Sequence, residues 1–204
     1  EIGIRIIRGV YCESINFPTE AALSAEFGVS RNVTREAIKI LAAKGLIASR
    51  PRKGISVMPT SNWNLFDSDI LHWTIDHAQT SKLYNQLQQL RLAIEPEAIR
   101  IICFVHDQAT IGQIGLNLQK MKHHKNSRQR FSNAQINFHQ FILASCNNPY
   151  FEGFNELIAA SIRFDSEGYD AQDLFIERII SLYENMVDGL YNNEPAISEN
   201  LYRD

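Results

Sequence analysis

What is scarce in this chain narrows the field first. Three cysteines, Cys12, Cys103 and Cys146, are scattered over 204 residues. An odd, dispersed set excludes a disulfide framework and points to a reducing compartment, read here as the cytoplasm. No apolar run approaches the roughly 18 residues that a membrane helix needs. The first ten residues mix Arg5 and Arg8 with isoleucines at helical spacing and do not form a secretory leader. No membrane partner is therefore expected. Strand-type alternation is confined to two short runs, and repeats and low-complexity tracts are absent. There is also no nucleophile motif and no phosphate-binding glycine loop. A helical-bundle enzyme, with His139 as a base beside Gln135 or Tyr183, stays a remote alternative.

Net charge is small, −3, but it is unevenly placed. Residues 1–60 carry nine Lys/Arg against five Asp/Glu, and residues 61–204 carry eleven against eighteen. Within 28–60 the count is seven to one. A basic module on an acidic body is the distribution expected of a partner rich in phosphate, although a solvated charged face gives the same count.

The basic segment has a recognisable order of parts. Residues 1–9 read as a short helix. Pro18-Thr19-Glu20 starts a second one, with Thr19 as its cap, and Gly28 ends it. Ser30 caps a third helix over about 31–44. Val33, Ala37, Ile38 and Leu41 are expected on its buried face, and Arg31, Asn32, Thr34, Arg35 and Lys39 outside. Leu46–Ser49 and Ile55–Val57 are β-prone, joined by the basic loop Arg50-Pro51-Arg52-Lys53-Gly54. A helix fits the DNA major groove, where its first turns read base edges: arginine pairs with guanine and asparagine with adenine. Arg31, Asn32 and Arg35 supply those donors. Ser30 and Thr34 are expected on phosphates. Arg50, Arg52, Lys53 and Gly54 form a wing reaching the backbone or minor groove. A single helix with arginines at its start is ordinarily a solvated surface helix; the whole order is far more specific.

The segment from Phe17-Pro18-Thr19-Glu20 through Phe27-Gly28-Val29-Ser30-Arg31 and Arg35-Glu36-Ala37-Ile38 to Gly45-Leu46 resembles the N-terminal domain of the GntR family. The resemblance implies a winged helix-turn-helix over 1–58 that binds a double-stranded DNA operator as a homodimer. In fatty-acid-responsive members an arginine stands early in the second helix; here Ala21 occupies that place, so that contact is missing.

From Trp63 the periodicity becomes helical, after a polar stretch at 58–62 that reads as a linker. Segments over about 81–105 (with Pro96 kinking it or marking a junction), 107–125, 128–145, 148–165, 172–192 and 194–204 predict an all-α bundle, so the chain is mainly α with one small hairpin. The division expected is 1–58, then 59–80 as linker and first helix of the bundle, then 81–204. Trp63 and Trp73 bracket Asp67 and Asp69. They either pack that first bundle helix or dock the segment on the DNA-binding domain, and docking is favoured. Adjacent His123 and His124 are a solvated pair.

Three stretches, Trp63 to Trp73, Leu90 to Ala98 and Asn137 to Tyr150, resemble the FCD domain of the FadR branch of that family. The first two are most similar to members responding to sugar acids. The resemblance implies effector binding and dimerisation by residues 81–204. Arg91 and Glu95, four apart, share a helix face, and Arg91 can clamp a carboxylate. The alternative is a surface salt bridge between the two. His139, among apolar neighbours, is ordinarily a hydrogen-bonded core histidine. In many FCD domains the matching histidine binds a metal together with an aspartate four residues earlier and two later histidines. Here those places hold Gln135 and Tyr183, and the last falls at or beyond Asp204. No tight divalent metal and no cofactor is therefore expected. Arg91, Glu95, Gln135, His139 and Tyr183 are expected to meet an organic effector directly. The function expected is a repressor controlled by a small carboxylate, a sugar acid in first place; the alternative is an acyl-CoA or lipid sensor of the same family.

Overall fold

Polar side chains start the first helices where the sequence places them. The computed structural model describes residues 1–14, 16–50, 54–77, 82–167 and 173–194. In it Thr19 Oγ1 accepts the Ala22 backbone N–H at 3.2 Å, and Ser30 Oγ accepts that of Val33 at 3.3 Å. Each satisfies a donor that the helix ladder leaves open. The chain divides into two units, Glu1–Ser81 and Lys82–Asp204.

The first unit contains α1 (Ile2–Ile7), α2 (Glu20–Phe27) and α3 (Arg31–Ala43), then the hairpin β1 (Ile47–Arg50) and β2 (Gly54–Val57). A 3-10 turn at Thr60–Asn62 and α4 (Ser68–His77) follow. Gly28 closes α2 in the left-handed conformation at φ +64°. The strands are antiparallel, with Ile47 opposite Val57 and Arg50 opposite Gly54. The wing tip, with the expected contacts Arg52 and Lys53, lies outside the described residues. Leu23, Ile38, Leu41, Leu46, Ile47, Val57 and Ile70 form one core with Ile6.

Two expectations for this unit are corrected. The buried stripe of α3 is Thr34, Ile38 and Leu41, while Val33 is 54% exposed. Spacings of four and three from Thr34 set the inward phase, and Val33 lies about 100° off it at 3.6 residues per turn. Thr34 Oγ1 bonds Ser24 Oγ at 2.8 Å and donates to the Ser30 carbonyl at 3.4 Å. It locks α3 onto α2 and is not available to a phosphate. The second correction concerns residues 59–77, which are neither a linker nor part of the bundle. Asn64 N–H donates to the Lys44 carbonyl, Trp63 Nε1 donates to the Met58 carbonyl at 2.8 Å, and α4 packs on α1. Lys44 Nζ, at the end of α3, lies 2.6 Å from Asp67 and 2.9 Å from Asp69. Burial alone pushes the Asp67 carboxyl up, but the Lys44 ammonium and the backbone N–H groups of Ile70 and Asp69 outweigh it and hold it below the usual range.

The second unit is helical throughout its described part: α5 (Lys82–Val105), α6 (Gln108–His123), α7 (Arg128–Ser145), α8 (Pro149–Glu152), α9 (Asn155–Glu167) and α10 (Asp173–Tyr191). α5 runs unbroken through Pro96, so no junction falls there. The segment expected as one helix over 148–165 is two, separated at Gly153–Phe154. Helix α7 is central, packing against α5, α6, α8 and α9. Phe138, Ile142 and Leu143 on it are fully buried with Ile99, Ile111, Ile114, Ile158 and Ile162. The helix expected over 194–204 lies almost wholly outside the described residues.

Gly45 has φ +78°, and a Cβ there would sit 2.0 Å from the Asn62 carbonyl oxygen. Gly28 has φ +64° and open space around a Cβ. Gly28→Ala should therefore cost only the left-handed strain, about 1–2 kcal/mol. Gly45→Ala should cost clearly more, since the 59–64 segment must move as well. Paired denaturant melts test this; equal losses would mean that the segment does not pack on Gly45.

Candidate functional site

The N-terminal unit presents a compact set of donors. Arg31, Asn32 and Arg35 are exposed on the first turns of α3. Ser30 is exposed too, but its hydroxyl already accepts a helix N–H. Arg35 Nε lies 3.6 Å from Glu20 Oε2, with both side chains open to solvent. Such a pair contributes little and opens readily for a phosphate. Arg50 and Gly54 are exposed opposite each other where the hairpin begins its turn. Ala21 is exposed on α2 and offers no donor. The face is cationic and built on capped, regular helix, the arrangement suited to phosphate contact and base-edge reading.

In the bundle, three helices bring together all five residues singled out for effector binding. Arg91 and Glu95 stand one turn apart on α5, Gln135 and His139 one turn apart on α7, and Tyr183 on α10. Arg91 Nε and Nη2 each donate to a Glu95 oxygen at 3.3 Å, and His139 Nδ1 lies 3.1 Å from Glu95 Oε1. His139 Nε2 lies 2.7 Å from Tyr183 Oη, to which Gln135 Nε2 donates at 2.8 Å. Hydrogen-bond chemistry orients this chain. A carboxylate only accepts, so His139 Nδ1 carries the hydrogen that faces Glu95. Nε2 then accepts from the Tyr183 hydroxyl, and the hydroxyl oxygen accepts from Gln135. Glu95 and His139 are each 1% exposed. Arg91–Glu95 is thus a buried pair and not the surface salt bridge that its spacing also allows.

The electrostatics follow from this geometry. Burial pushes the Glu95 carboxyl up, but the charge of Arg91 and the hydrogen bonds from His139 and Arg91 overcome it, holding the group at about 2. Burial likewise pushes the Tyr183 phenol up, so it stays protonated and able to donate.

Three further side chains complete the cluster. Ser161, fully buried on α9, accepts from Arg91 Nη1 and from Gln88 Nε2, both at 2.9 Å. Asp165 Oδ2, one turn on, lies 3.7 Å from Arg91 Nη1. Gln88, Ser161 and Asp165 escape a reading of the sequence by motifs. The signal that could have found the α9 pair is local: a serine and an aspartate four apart, on the same helix as the apolar run Leu157–Ala160 and Ile162.

The donor set does not suit a divalent cation. Both His139 nitrogens are engaged, the neighbouring places carry an amide and a protonated phenol, and the one fully buried carboxylate is held by Arg91. Among the described residues no group of three His, Cys, Asp or Glu converges. Adjacent His123 and His124 lie partly or fully in solvent at the end of α6. No helix among the described residues is long and apolar enough to cross a membrane.

Comparison with known proteins agrees with both halves. Residues 1–57 match the model of the bacterial regulatory proteins, gntR family, and residues 86–203 match that of the FCD domain. The galactonate operon transcriptional repressor of Escherichia coli K12 is 30% identical over 159 residues, covering 78% of this chain and 69% of the relative. The uncharacterised HTH-type transcriptional regulator YieP of the same organism is 32% identical over 155 residues, covering 75% and 67%. Among solved structures, the fold is similar to Lar, which controls the expression of the Listeria monocytogenes agr system. That likeness has a TM-score of 0.66 at 17% identity and covers 99% of this chain and 87% of that one. A Streptococcus agalactiae GntR protein gives a TM-score of 0.53 at 16% identity over 97% and 89%. The chain belongs to the GntR family of bacterial transcriptional regulators, in the branch that carries an FCD domain.

Proposed function

We propose that this regulator is a cytoplasmic, homodimeric repressor released from its operator by a sugar acid. The observation that carries the effector half is the buried Arg91–Glu95–His139–Tyr183–Gln135 chain: a guanidinium whose fork is held by Glu95 and whose Nη1 has a long, exchangeable contact with Asp165 that a carboxylate can replace, beside an amide, a phenol and an imidazole suited to hydroxyl groups. Support for the effector class comes from the galactonate operon repressor among its relatives. The same chain speaks against an acyl-CoA effector, since these groups are polar and closely paired. Engagement of both His139 nitrogens supports a recognition role and no catalytic one. The cluster works, in this reading, without a metal. Exposed Leu92, Phe104, Val105 and Leu116 on α5 and α6 support a second copy packing on the bundle.

In the DNA half, Arg31 and Asn32 read base edges, Arg35 leaves Glu20 for the DNA, and Arg50, Arg52, Lys53 and Gly54 follow the backbone. Ser30 sets the helix start. Arg31→Ala should weaken operator binding by about 1–3 kcal/mol, with relaxed specificity at one base pair, and Lys53→Ala should lower the salt slope by about 1 without changing sequence preference. Anisotropy titrations at several salt concentrations check both. Unchanged operator binding in both variants would sink the assignment.

In the effector half, Arg91→Ala should cost about 3–5 kcal/mol of stability, because it strands a buried carboxylate. Arg91→Lys keeps the charge but loses the fork, so it should stay folded and bind an aldonate about tenfold more weakly or worse. Isothermal titration reads the affinity and a thermal melt the fold. An Arg91→Lys protein with native affinity would refute the clamp. Elemental analysis of protein purified without chelator should find less than one equivalent of zinc, nickel or manganese; a stoichiometric, chelator-resistant metal would refute direct recognition.

The Glu95 carboxyl gives a pH signature. Its folded value of about 2 lies below the ordinary glutamate value of 4.5. The stability it contributes is therefore present in full above the ordinary value and lost as pH falls towards the folded one. Melts from pH 5 to pH 2.5 should fall less steeply in Glu95→Gln than in the wild type.

A further inference from the structure

A second anion-seeking site lies beside the effector cluster and is not part of it. Arg128, Gln129 and Ser132 from the start of α7, with Arg163 and Ser166 from the end of α9, line a cleft of about 530 Å³. Among the described residues no carboxylate lines it. Helix α7 has 18 residues, and its first turn carries Arg128 and Arg130 and no acid. Its N-cap, Ser127, makes no side-chain cap bond, so the first backbone N–H groups keep their donor capacity.

The independent observation is Ser132. The residue is 3% exposed, yet its hydroxyl has no hydrogen-bond partner among the described residues and lines this cleft. The hydroxyl oxygen is not sealed from the cleft, so its hydrogen-bonding capacity is open to whatever fills it. An oxygen acceptor there can take its hydrogen, and the flanking guanidinium groups favour an anionic one.

Register relates the cleft to the effector cluster. Ser132, Gln135 and His139 are spaced by three and four on α7, so they share one face. At about 1.5 Å per residue, Ser132 is roughly 4–5 Å along the axis from Gln135. On α9, Ser166 directly follows Asp165, which lies 3.7 Å from Arg91. Helices α7 and α9 pack on each other, and the cleft lies along that seam. We propose that this cleft binds the second anionic group of the effector, a terminal carboxylate or phosphate of a hydroxy acid whose first carboxylate is held at Arg91. The inference rests on the effector reading above and narrows it from a sugar acid to a two-ended, dianionic one.

The test is isothermal titration of the full chain with four probes: a six-carbon aldonate, the matching aldarate, the 6-phosphorylated aldonate, and inorganic phosphate. The wild type should bind at least one dianion about tenfold or more tighter than the aldonate. Arg128→Gln/Arg163→Gln, both on exposed positions, should erase that preference and leave aldonate affinity unchanged. Ser132→Ala should weaken the dianion without lowering the melting temperature of the free protein. Aldonate binding with no dianion preference, or a preference that survives the double variant, overturns the inference and leaves the effector reading standing. Inorganic phosphate binding as tightly as the phosphorylated aldonate also overturns it, since the cleft is then a stand-alone anion site or holds an adventitious ion only. If no sugar acid binds at all, the effector reading falls and this inference with it.

Discussion

The organisation of the bundle depends on one buried carboxylate. Glu95 sits in an apolar helical core at 1% exposure. An isolated charge there is prohibitively unfavourable, and in proteins such a group neutralises unless it is paired and hydrogen-bonded. Arg91, on its own helix, supplies the charge, and His139 from α7 supplies a second donor. Those partners have demands of their own. Arg91 needs acceptors for its remaining N–H groups and finds Ser161 and Asp165 on α9. His139 needs a donor for its second nitrogen and finds Tyr183 on α10, which in turn accepts from Gln135. Satisfying one carboxylate thus fixes the relative placement of four helices, which apolar packing alone specifies loosely.

The same requirement shapes how a ligand is received. The Arg91 fork is filled by Glu95, so an incoming carboxylate does not meet a bare cation. Asp165 is the exchangeable partner, since its side chain is 31% exposed and its contact with Arg91 is the longest in the set. A ligand that takes the place of Asp165 replaces one carboxylate by another, and the net Coulomb gain is small. Discrimination then falls to the groups around the guanidinium, namely Ser161, Gln88, Tyr183 and Gln135, which meet hydroxyls better than methylenes. A site that rejects by leaving buried polar groups unpaired is more selective than one that rewards by charge. On the proposed reading, the polar cluster fits an effector dense in hydroxyls.

Local rules made the helix-turn-helix legible. Thr19, Gly28 and Ser30 act within three residues of themselves, so caps and stops follow from identity alone. The spacing of Arg91 to Glu95 and of Gln135 to His139 showed that each pair shares a face. It did not show that the two faces meet, which depends on packing between helices far apart in sequence; there the family resemblance supplied the connection. Periodicity misled where two phases compete. Val33 is more hydrophobic than Thr34, yet Thr34 is the inward residue, because its hydroxyl finds Ser24 and its methyl suits the core. Composition misled at 58–62, where a polar run looks like a linker. Met58 N–H in fact donates to the Leu46 carbonyl, Asn64 just beyond the run donates to that of Lys44, and the close approach depends on the absence of a side chain at Gly45.

That last contact also bears on the reading head. Lys44 follows the last residue of α3, and Asp67, just before α4, and Asp69, in its first turn, hold its ammonium. The start of the same helix is set by Ser30 as cap, and its inward phase by Thr34 with Ser24. A helix fixed at its cap, its buried stripe and the residue that follows it has little freedom to rotate about its axis. Arg31, Asn32 and Arg35 are then presented at fixed angles, which base-edge recognition requires and phosphate contact does not. On the proposed reading of Arg31, Asn32 and Arg35, the polar bonds around α3 serve specificity, although none of Ser24, Thr34, Lys44 or Asp67 needs to touch DNA. A substitution among them acts on sequence discrimination through the angle of the helix, while leaving the basic charge of the face unaltered in the case of Ser24 and Thr34.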